Sequence, residues 1–306
     1  MRTNNITFLV VVILSIGFLP SVFGQQTPVY ANYSYNTIVL NPAHAGFYPG
    51  GDITITNRGH LNGVEGSPKN IGASVNLPTT SEHVGLGGGV YRNQVGVTST
   101  TSLFGAYAYK LFFNSNQNRW WDYNPHVLSF GITGGVMMYD ENLLELGIND
   151  DPNFANNVNI LVPTVGLGVL YNREHVYIGF SKLNILGNVV SSDRNINIEK
   201  PSYIYAGCRF FTTRFEEVLV NPSILVKHVS GAPIQVDFNT KINYENKFEI
   251  GAGYRTDHSM NLLAGFYISN RIRALYNYNK AFKTTPLNDT HGFILSIRLG
   301  NGFAQK

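Results

Sequence analysis

The side chains that could do chemistry are spread too thinly along this chain to assemble a catalytic site from sequence. Eight histidines (His44, His60, His83, His126, His175, His228, His258 and His291) stand singly. None has the His-x-His, His-Glu-x-x-His or Cys-His spacing from which zinc sites are built. The run Gly85-Leu86-Gly87-Gly88-Gly89 is glycine-rich enough to suggest a phosphate-cradling loop. It lacks the G-x-G-x-x-G spacing and a helix behind it, and it sits in a strand-like segment. No G-x-S-x-G elbow presents a serine nucleophile. Asp140-Glu141, Glu145 and Asp150-Asp151 form the densest acidic group. Their oxygens suit Ca²⁺ in type, but neither EF-hand nor nonapeptide spacing is present, and a solvated surface loop is the simpler reading. These residues predict a protein that is not an enzyme and that uses no metal and no cofactor.

The other charges follow a pattern that belongs to architecture. Gln235, Asp237, Asn239, Lys241 and Asn243 alternate with Ile234, Val236, Phe238, Ile242 and Tyr244. Glu249, Arg255, Arg271, Arg273, Asn277, Asn279, Ser296 and Arg298 alternate in the same way with apolar neighbours. Period-two alternation is the signature of a β-strand with two unlike faces. In a soluble sandwich the apolar face packs inward, whereas in a membrane barrel it meets lipid and the polar face lines the lumen. On the second reading Lys241, Asp237, Glu249, Arg255, Arg271, Arg273 and Arg298 form a charge network across the interior, either lining a pore or pairing off to fill it.

Length and number of strands separate the two folds. Segments of this kind fall near 51–59, 70–78, 84–92, 99–112, 125–139, 161–171, 174–181, 202–213, 218–229, 233–245, 247–256, 259–268, 271–280 and 291–299. That gives about fourteen strands averaging about ten residues, the tilted membrane-crossing length. Globular strands are about half as long. Connections such as 59–69, 140–160, 182–201 and 281–290 are long, while 79–83, Glu245-Asn246 and Ser269-Asn270 are short. Long and short alternate in the manner of extracellular loops and periplasmic turns. The long 113–124 and the short Asp257-His258 break the alternation.

Composition agrees. Charged residues make up 13% of the 306 positions, about half the usual share of a soluble domain. Glycine reaches 31, and Tyr and Phe together supply most of a 13% aromatic content. Tyr91, Tyr109, Trp120, Trp121, Tyr123, Tyr139 and Tyr171 fall at strand ends, where interfacial girdles form. Gly131, Gly134, Gly135, Gly166, Gly168, Gly251 and Gly253 are expected to ease curvature or leave room in the lumen. The net charge of +3 carries no basic run, so nucleic acid is not an expected partner. Cys208, the single cysteine, has no internal disulfide partner and reads as a small hydrophobe. Residues 1–24, with Arg2, the apolar stretch Phe8 to Phe18 and Val22-Phe23-Gly24, read as a signal peptide for export. Three regions are thus expected: a signal peptide (1–24), an N-terminal periplasmic arm (25–50) and an outer-membrane β-barrel (51–306). The fold class is all-β, an antiparallel transmembrane barrel of about 14 strands with a short N-terminal arm.

The arm carries the sequence's most specific motif, Tyr33 to Gly46, YSYNTIVLNPAHAG. Asn41-Pro42 is a turn signal, because proline pushes the preceding residue out of the helical region. Leu40-Asn41-Pro42-Ala43-His44-Ala45-Gly46 resembles the N-terminal signature of the PorP/SprF family of the Bacteroidetes type IX secretion and gliding apparatus. A second block, Arg58-Gly59-His60-Leu61-Asn62-Gly63 followed by Gly66-Ser67-Pro68-Lys69, resembles the same family. It departs from the pattern at Leu61 (an aromatic in the family) and at Ser67 (an alanine). Fainter echoes are Ala106-Tyr107-Ala108-Tyr109, Gly251 to Arg255, and Tyr276-Asn277-Tyr278; His291 is followed by Gly292 where the family has Glu.

The resemblance implies a non-enzymatic outer-membrane component that helps secrete or anchor cell-surface proteins. Its implied partners are outer-membrane lipid, a secreted adhesin or its C-terminal domain, a periplasmic peptidoglycan-binding lipoprotein, and other type IX secretion components. Asn41, Pro42, Ala43, Ala45, Gly46, Arg58, Gly63, Gly66 and Pro68 are the family-motif positions that could contact them, although glycine and proline shape loops first. The barrel pattern without the motif favours an outer-membrane diffusion channel or nutrient porin instead.

Overall fold

In the computed structural model, residues 33–59, 66–113, 124–148, 151, 154–187, 198–211, 217–282 and 289–303 are described. The expected signal peptide, Gly63, Trp120, Trp121 and Tyr123 lie outside them. The described elements are β-strands and short 3-10 turns. Its strands run β1 (Asp52–Gly59), β2 (Lys69–Pro78), β3 (Val84–Val95), β4 (Thr98–Phe112), β5 (Val127–Glu141), β6 (Val158–Arg173), β7 (Val176–Lys182), β8 (Ser202–Cys208), β9 (Phe210–Phe211), β10 (Val218–His228), β11 (Gln235–Tyr244), β12 (Phe248–Arg255), β13 (Ser259–Ser269), β14 (Ile272–Ala281) and β15 (Thr290–Arg298). β8 and β9 both pair with β10 and form one barrel strand interrupted at Arg209, which makes fourteen. Every neighbouring pair is antiparallel, and β1 pairs with β15 from Asp52↔Arg298 to Gly59↔His291, closing the barrel without a free edge.

The polarity of the wall is inverted relative to a soluble protein. Along β4, Ser102, Ala106, Ala108 and Lys110 are buried, while Leu103, Tyr107, Tyr109 and Leu111 are exposed. The outer apolar row continues across strands, with Tyr107 opposite Ile132 and Ile132 opposite Leu167, all three exposed. Inside, Thr54, Ser74, Asn76, Ser129, Asn172, Asp237, Glu249 and Arg255 are buried. Apolar outward and polar inward is the arrangement that lipid requires of a barrel. No described helix is long and apolar enough to cross a membrane.

Alternation also relocates some side chains that sequence position alone had misplaced. Tyr91 and Tyr139 are not interfacial girdle residues. Tyr91 packs inward beside Phe104, and Tyr139 shares the inner face of β5 with the buried Met137. Tyr109 does lie on the outer face. Arg271 belongs to the tight turn between β13 and β14, where it is exposed and outside the lumen network.

The barrel is not hollow at the end where β1 begins and β15 finishes. Residues 33–48 fold up into the lumen as three single 3-10 turns, Tyr33–Tyr35, Thr37–Val39 and Pro42–His44. Three of the four apolar clusters among the described residues contain residues of this segment. Leu40, Ala43 and Phe47 join Val127, Leu170 and Tyr205; Ile38, Val39 and Ala45 join Ala106 and Ala108; Tyr35 joins Leu263, Leu275 and Ile294. The segment expected to lead into the barrel is therefore its core.

Ile132 sits near the middle of β5, exposed on the outer face. Ile132→Arg is expected to destabilise the protein in phospholipid vesicles by about 2–4 kcal/mol, the cost of a cation near the bilayer midplane. Denaturant titration of the folded barrel measures it, and no loss at all would place this face away from lipid.

Candidate functional site: a segment docked in the lumen

Asn41 fixes the docked segment to the wall. It is fully buried, and its Nδ2 donates to the carbonyl oxygens of Val169 on β6 (3.0 Å) and Phe180 on β7 (3.2 Å) and to Tyr205 Oη on β8 (2.9 Å). Its Oδ1 accepts from Ala43 N (2.9 Å), capping the turn that Pro42 opens. Proline suits the first position of a helical turn, where an N–H has no internal partner. Irregular backbone inside a barrel leaves carbonyls that must find donors, and wall side chains supply them. Ser181 Oγ donates to Leu40 O (2.5 Å), Ser129 Oγ to Ala43 O (2.7 Å) and Lys110 Nζ to Gly46 O. Upstream, Ser74 Oγ donates to Asn36 Oδ1 (2.7 Å).

Small residues in the wall let the backbone come this close. A Cβ on Gly131 would lie 2.2 Å from Ala43 N, and one on Gly168 would lie 2.0 Å from Asn41 Oδ1. No side chain fits at either place. Gly131 and Gly168, two of the strand glycines expected to leave room in the lumen, do so here for the chain's own N-terminal segment. Gly85, in the run that superficially suggests a nucleotide loop, meets Ala45 and Gly46 in the same way.

His44 extends the network. His44 Nε2 lies 2.6 Å from Tyr205 Oη, the same oxygen that accepts from Asn41 Nδ2. The ring also lies against Phe47 and Tyr205. Burial, then the nearby Arg209 charge, push the His44 pKa below its ordinary value.

Beyond this segment the lumen charges pair. Arg255 grips Asp237 through Nε (2.8 Å) and Nη2 (3.1 Å), both side chains almost fully buried. Arg273 meets Glu249 at 3.5 Å, and the same Glu249 oxygen accepts from Tyr267 Oη and Asn243 Nδ2, each at 2.6 Å. Beside the docked segment remains a cavity of about 170 Å³, lined from β1, β2, β6 to β8 and β10 to β15, which His44, Tyr48, Arg298 and Phe303 help to line.

The motif positions fall into two places. Asn41, Pro42, Ala43, Ala45 and Gly46 lie together in the lumen, all buried. Arg58, Gly66 and Pro68 belong to the opposite rim. Arg58 Nε and Nη2 donate to Thr290 Oγ1 across the β1–β15 seam (3.2 and 3.1 Å), and Gly66 O accepts from Gly96 N (2.9 Å). Among the described residues no group of three His, Cys, Asp or Glu is placed to hold a metal. In the acidic loop, Asp140 accepts from Asn159 Nδ2 and Glu145 from Asn142 Nδ2; Asp150 lies outside the described residues. Sequence reasoning missed Ser129, Ser181, Tyr205 and Phe303. Ser129, Gly131, Gly166, Gly168, Gly179 and Ser181 of β5 to β7 share one inner face, and that concentration of small residues was the available signal.

Comparison with known proteins adds one informative match. The family described as type IX secretion system membrane protein PorP/SprF matches residues 22–298. No curated protein matches the chain. Among solved structures it is similar to an Acinetobacter baumannii outer membrane protein, Omp33, at 8% identity and a TM-score of 0.46, over 81% of this chain and 97% of that one. It is similar also to a triple mutant of a Rhodopseudomonas blastica porin, at 8% identity and a TM-score of 0.37, over 81% and 98%.

Two outcomes test the docking. Asn41→Asp keeps the acceptor to Ala43 but turns both donors into oxygen facing oxygen, at a cost on the order of 3 kcal/mol to docking. Asn41→Asp and Gly131→Val are both expected to expose residues 33–48 to protease while the barrel keeps its heat-modifiable electrophoretic mobility. Continued protection in both variants would contradict the docked arrangement. Because His44 is held neutral when docked, its docked pKa lies below the unfolded value of about 6.5. Its contribution is therefore complete above that pH and is lost as the pH falls through the lowered docked value. Protection of the segment is expected to weaken on acidification, and less so in His44→Gln.

Proposed function

We propose, from the premise that this chain belongs to the PorP/SprF family of type IX secretion system membrane proteins, that it is a non-enzymatic component of that machinery. Its role in this reading is to help secrete or anchor cell-surface proteins at the outer membrane. The observation that carries the proposal is that the family's most specific motif, Asn41 to Gly46, is the segment packed across the lumen. A barrel filled by its own chain is poorly built for diffusion of nutrients and well suited to act as a rigid membrane platform.

The termini and short turns of the barrel face the periplasm in this proposal, as in bacterial barrels generally. The long connections at the other rim, 60–68, 142–157, 183–201 and 282–289, then face outward and receive the secreted adhesin or its C-terminal domain. Arg58, Gly66 and Pro68 shape one of these connections. The periplasmic rim meets a peptidoglycan-binding lipoprotein and other secretion components, and gliding motility is one process such a platform serves. Export by the 1–24 signal peptide completes the scheme.

Mild-detergent purification of the tagged protein from native outer membranes, with mass spectrometry of what accompanies it, tests this. A large surface protein, a peptidoglycan-binding lipoprotein or another type IX component is expected to co-purify, and the isolated protein is expected to conduct ions poorly in planar bilayers. Purification alone, together with steady ion conductance, would refute the secretion role in favour of a diffusion porin.

A further inference from the structure

Arg298 passes over the carboxylate placed opposite it. Asp52 is its partner in the β1–β15 ladder and feels its charge, yet the hydrogen-bond contacts of Asp52 are with Asn76 Nδ2 (3.4 Å) and Thr54. Among the described residues no carboxylate forms an ion pair with Arg298. Its guanidinium instead lies over two rings, with Cζ 3.6 Å from the Tyr48 centroid and 4.3 Å from that of Phe303. Tyr48 follows the docked N-terminal segment. Phe303 is turned back into the lumen by the C-terminal tail, its N bonded to Asn270 O (2.7 Å) and its O to Asn246 Nδ2 (3.1 Å).

Stacking uses the face of a guanidinium and leaves its N–H edge for other partners. The Nε of Arg298 is buried and has no protein acceptor; the same holds for the Nε of Arg273, whose Cζ lies 4.9 Å from the same Phe303 ring. Both arginines line the 170 Å³ cavity, along with Lys241 and Arg209. Asp52 and Glu249 are the carboxylates lining it, and Glu249 is already engaged by Arg273, Tyr267 and Asn243. The lining therefore carries four cations to two carboxylates, and the Nε atoms of both arginines lack acceptors, while Arg273 Nη1 and Nη2 reach Tyr267 Oη and Ser296 Oγ (3.4 Å each). The cavity has room for a small group, since a site of ~150 Å³ holds a molecule such as benzene.

We propose that this cavity is an oxyanion site, in which the Arg298 edge, with Arg273 beside it, binds a carboxylate or phosphate group. A planar fork with fixed faces matches a two-oxygen acceptor in bidentate fashion. The site lies at the rim where the chain enters β1 and leaves β15, so its occupant also bears on how firmly Tyr48 and Phe303 are held. The inference rests on cavity geometry and stands apart from the secretion role.

Thermal unfolding of the purified full-length protein in detergent tests it, with inorganic phosphate in one arm. A second arm uses an N-acetylated dialanine with a free C-terminus, against its C-terminal amide and against chloride at matched ionic strength. A saturable rise in midpoint with phosphate or with the free acid, absent with the amide and chloride, is expected. Phosphate alone or the free acid alone, if effective, identifies which source of oxyanion the site takes. Arg298→Lys keeps the cation and loses the fork, so it is expected to weaken binding by about tenfold or more. Arg298→Gln is expected to abolish the rise. Heat-modifiable mobility and protease protection of residues 33–48 establish that the variants are folded. No rise beyond chloride, or an unchanged rise in folded Arg298→Gln, would overturn the proposal.

Discussion

The Asn41 amide is the constraint on which the interior depends. A strand wall satisfies its own peptide groups through its ladders, but a coiled segment inside it cannot. Each carbonyl carried into the lumen needs a donor placed for it, because a buried unmet acceptor costs about 1–3 kcal/mol. Asn41 spans β6, β7 and β8 with one side chain and caps its own turn with the other amide atom. Ser181, Ser129 and Lys110 then serve successive carbonyls of the same segment. Those donors are on strands that do not neighbour the segment in sequence. The docked segment therefore ties together parts of the barrel that the hydrogen-bonded ladder joins only in order around the wall.

This division of labour explains what could be read from the sequence. The wall was legible to within about three residues at strand ends, because lipid outside and a polar lumen inside force period-two alternation on every strand. Segments expected near 84–92 and 259–268 are the strands Val84–Val95 and Ser259–Ser269. What fills the lumen was much less legible. Alternation assigns a side chain to a face but not to a partner, so Gly131 and Gly168 were recognisable as making space without revealing that Asn41 and Ala43 occupy it. Tyr91 and Tyr139 were misplaced for the related reason that nearness to a strand end says nothing about which face a ring takes. Arg271 was misplaced because the turn between β13 and β14 takes only two residues, and the alternation had been extended one step too far.

The lumen charges resolve a choice that sequence had left open. Asp237 with Arg255, and Glu249 with Arg273, are paired inside the wall. Losing one member of such a buried pair strands the other charge, at about 3–5 kcal/mol. Pairs of that kind are part of the filling of a barrel. They occupy β11, β12 and β14, the side that the small-residue seat of β5 to β7 does not cover. Charged pairs on one side and docked backbone on the other together complete the interior.

The two ends of the chain close this interior jointly. β1 and β15 form the seam of the barrel, and Arg298 is the last residue of the last strand. Its guanidinium meets Tyr48 from just before β1 and Phe303 from just after β15. The Tyr48 contact is made across the seam between the first and last strands, and the Phe303 contact within the tail that follows β15. Cation–π contacts are modest when exposed and stronger when desolvated, so this junction gains strength as the lumen fills. The docked segment, the seam and the tail thus depend on one another. A barrel whose N-terminal segment is displaced loses Tyr48 from Arg298, and with it one of the two rings that hold the cation at its closing strand.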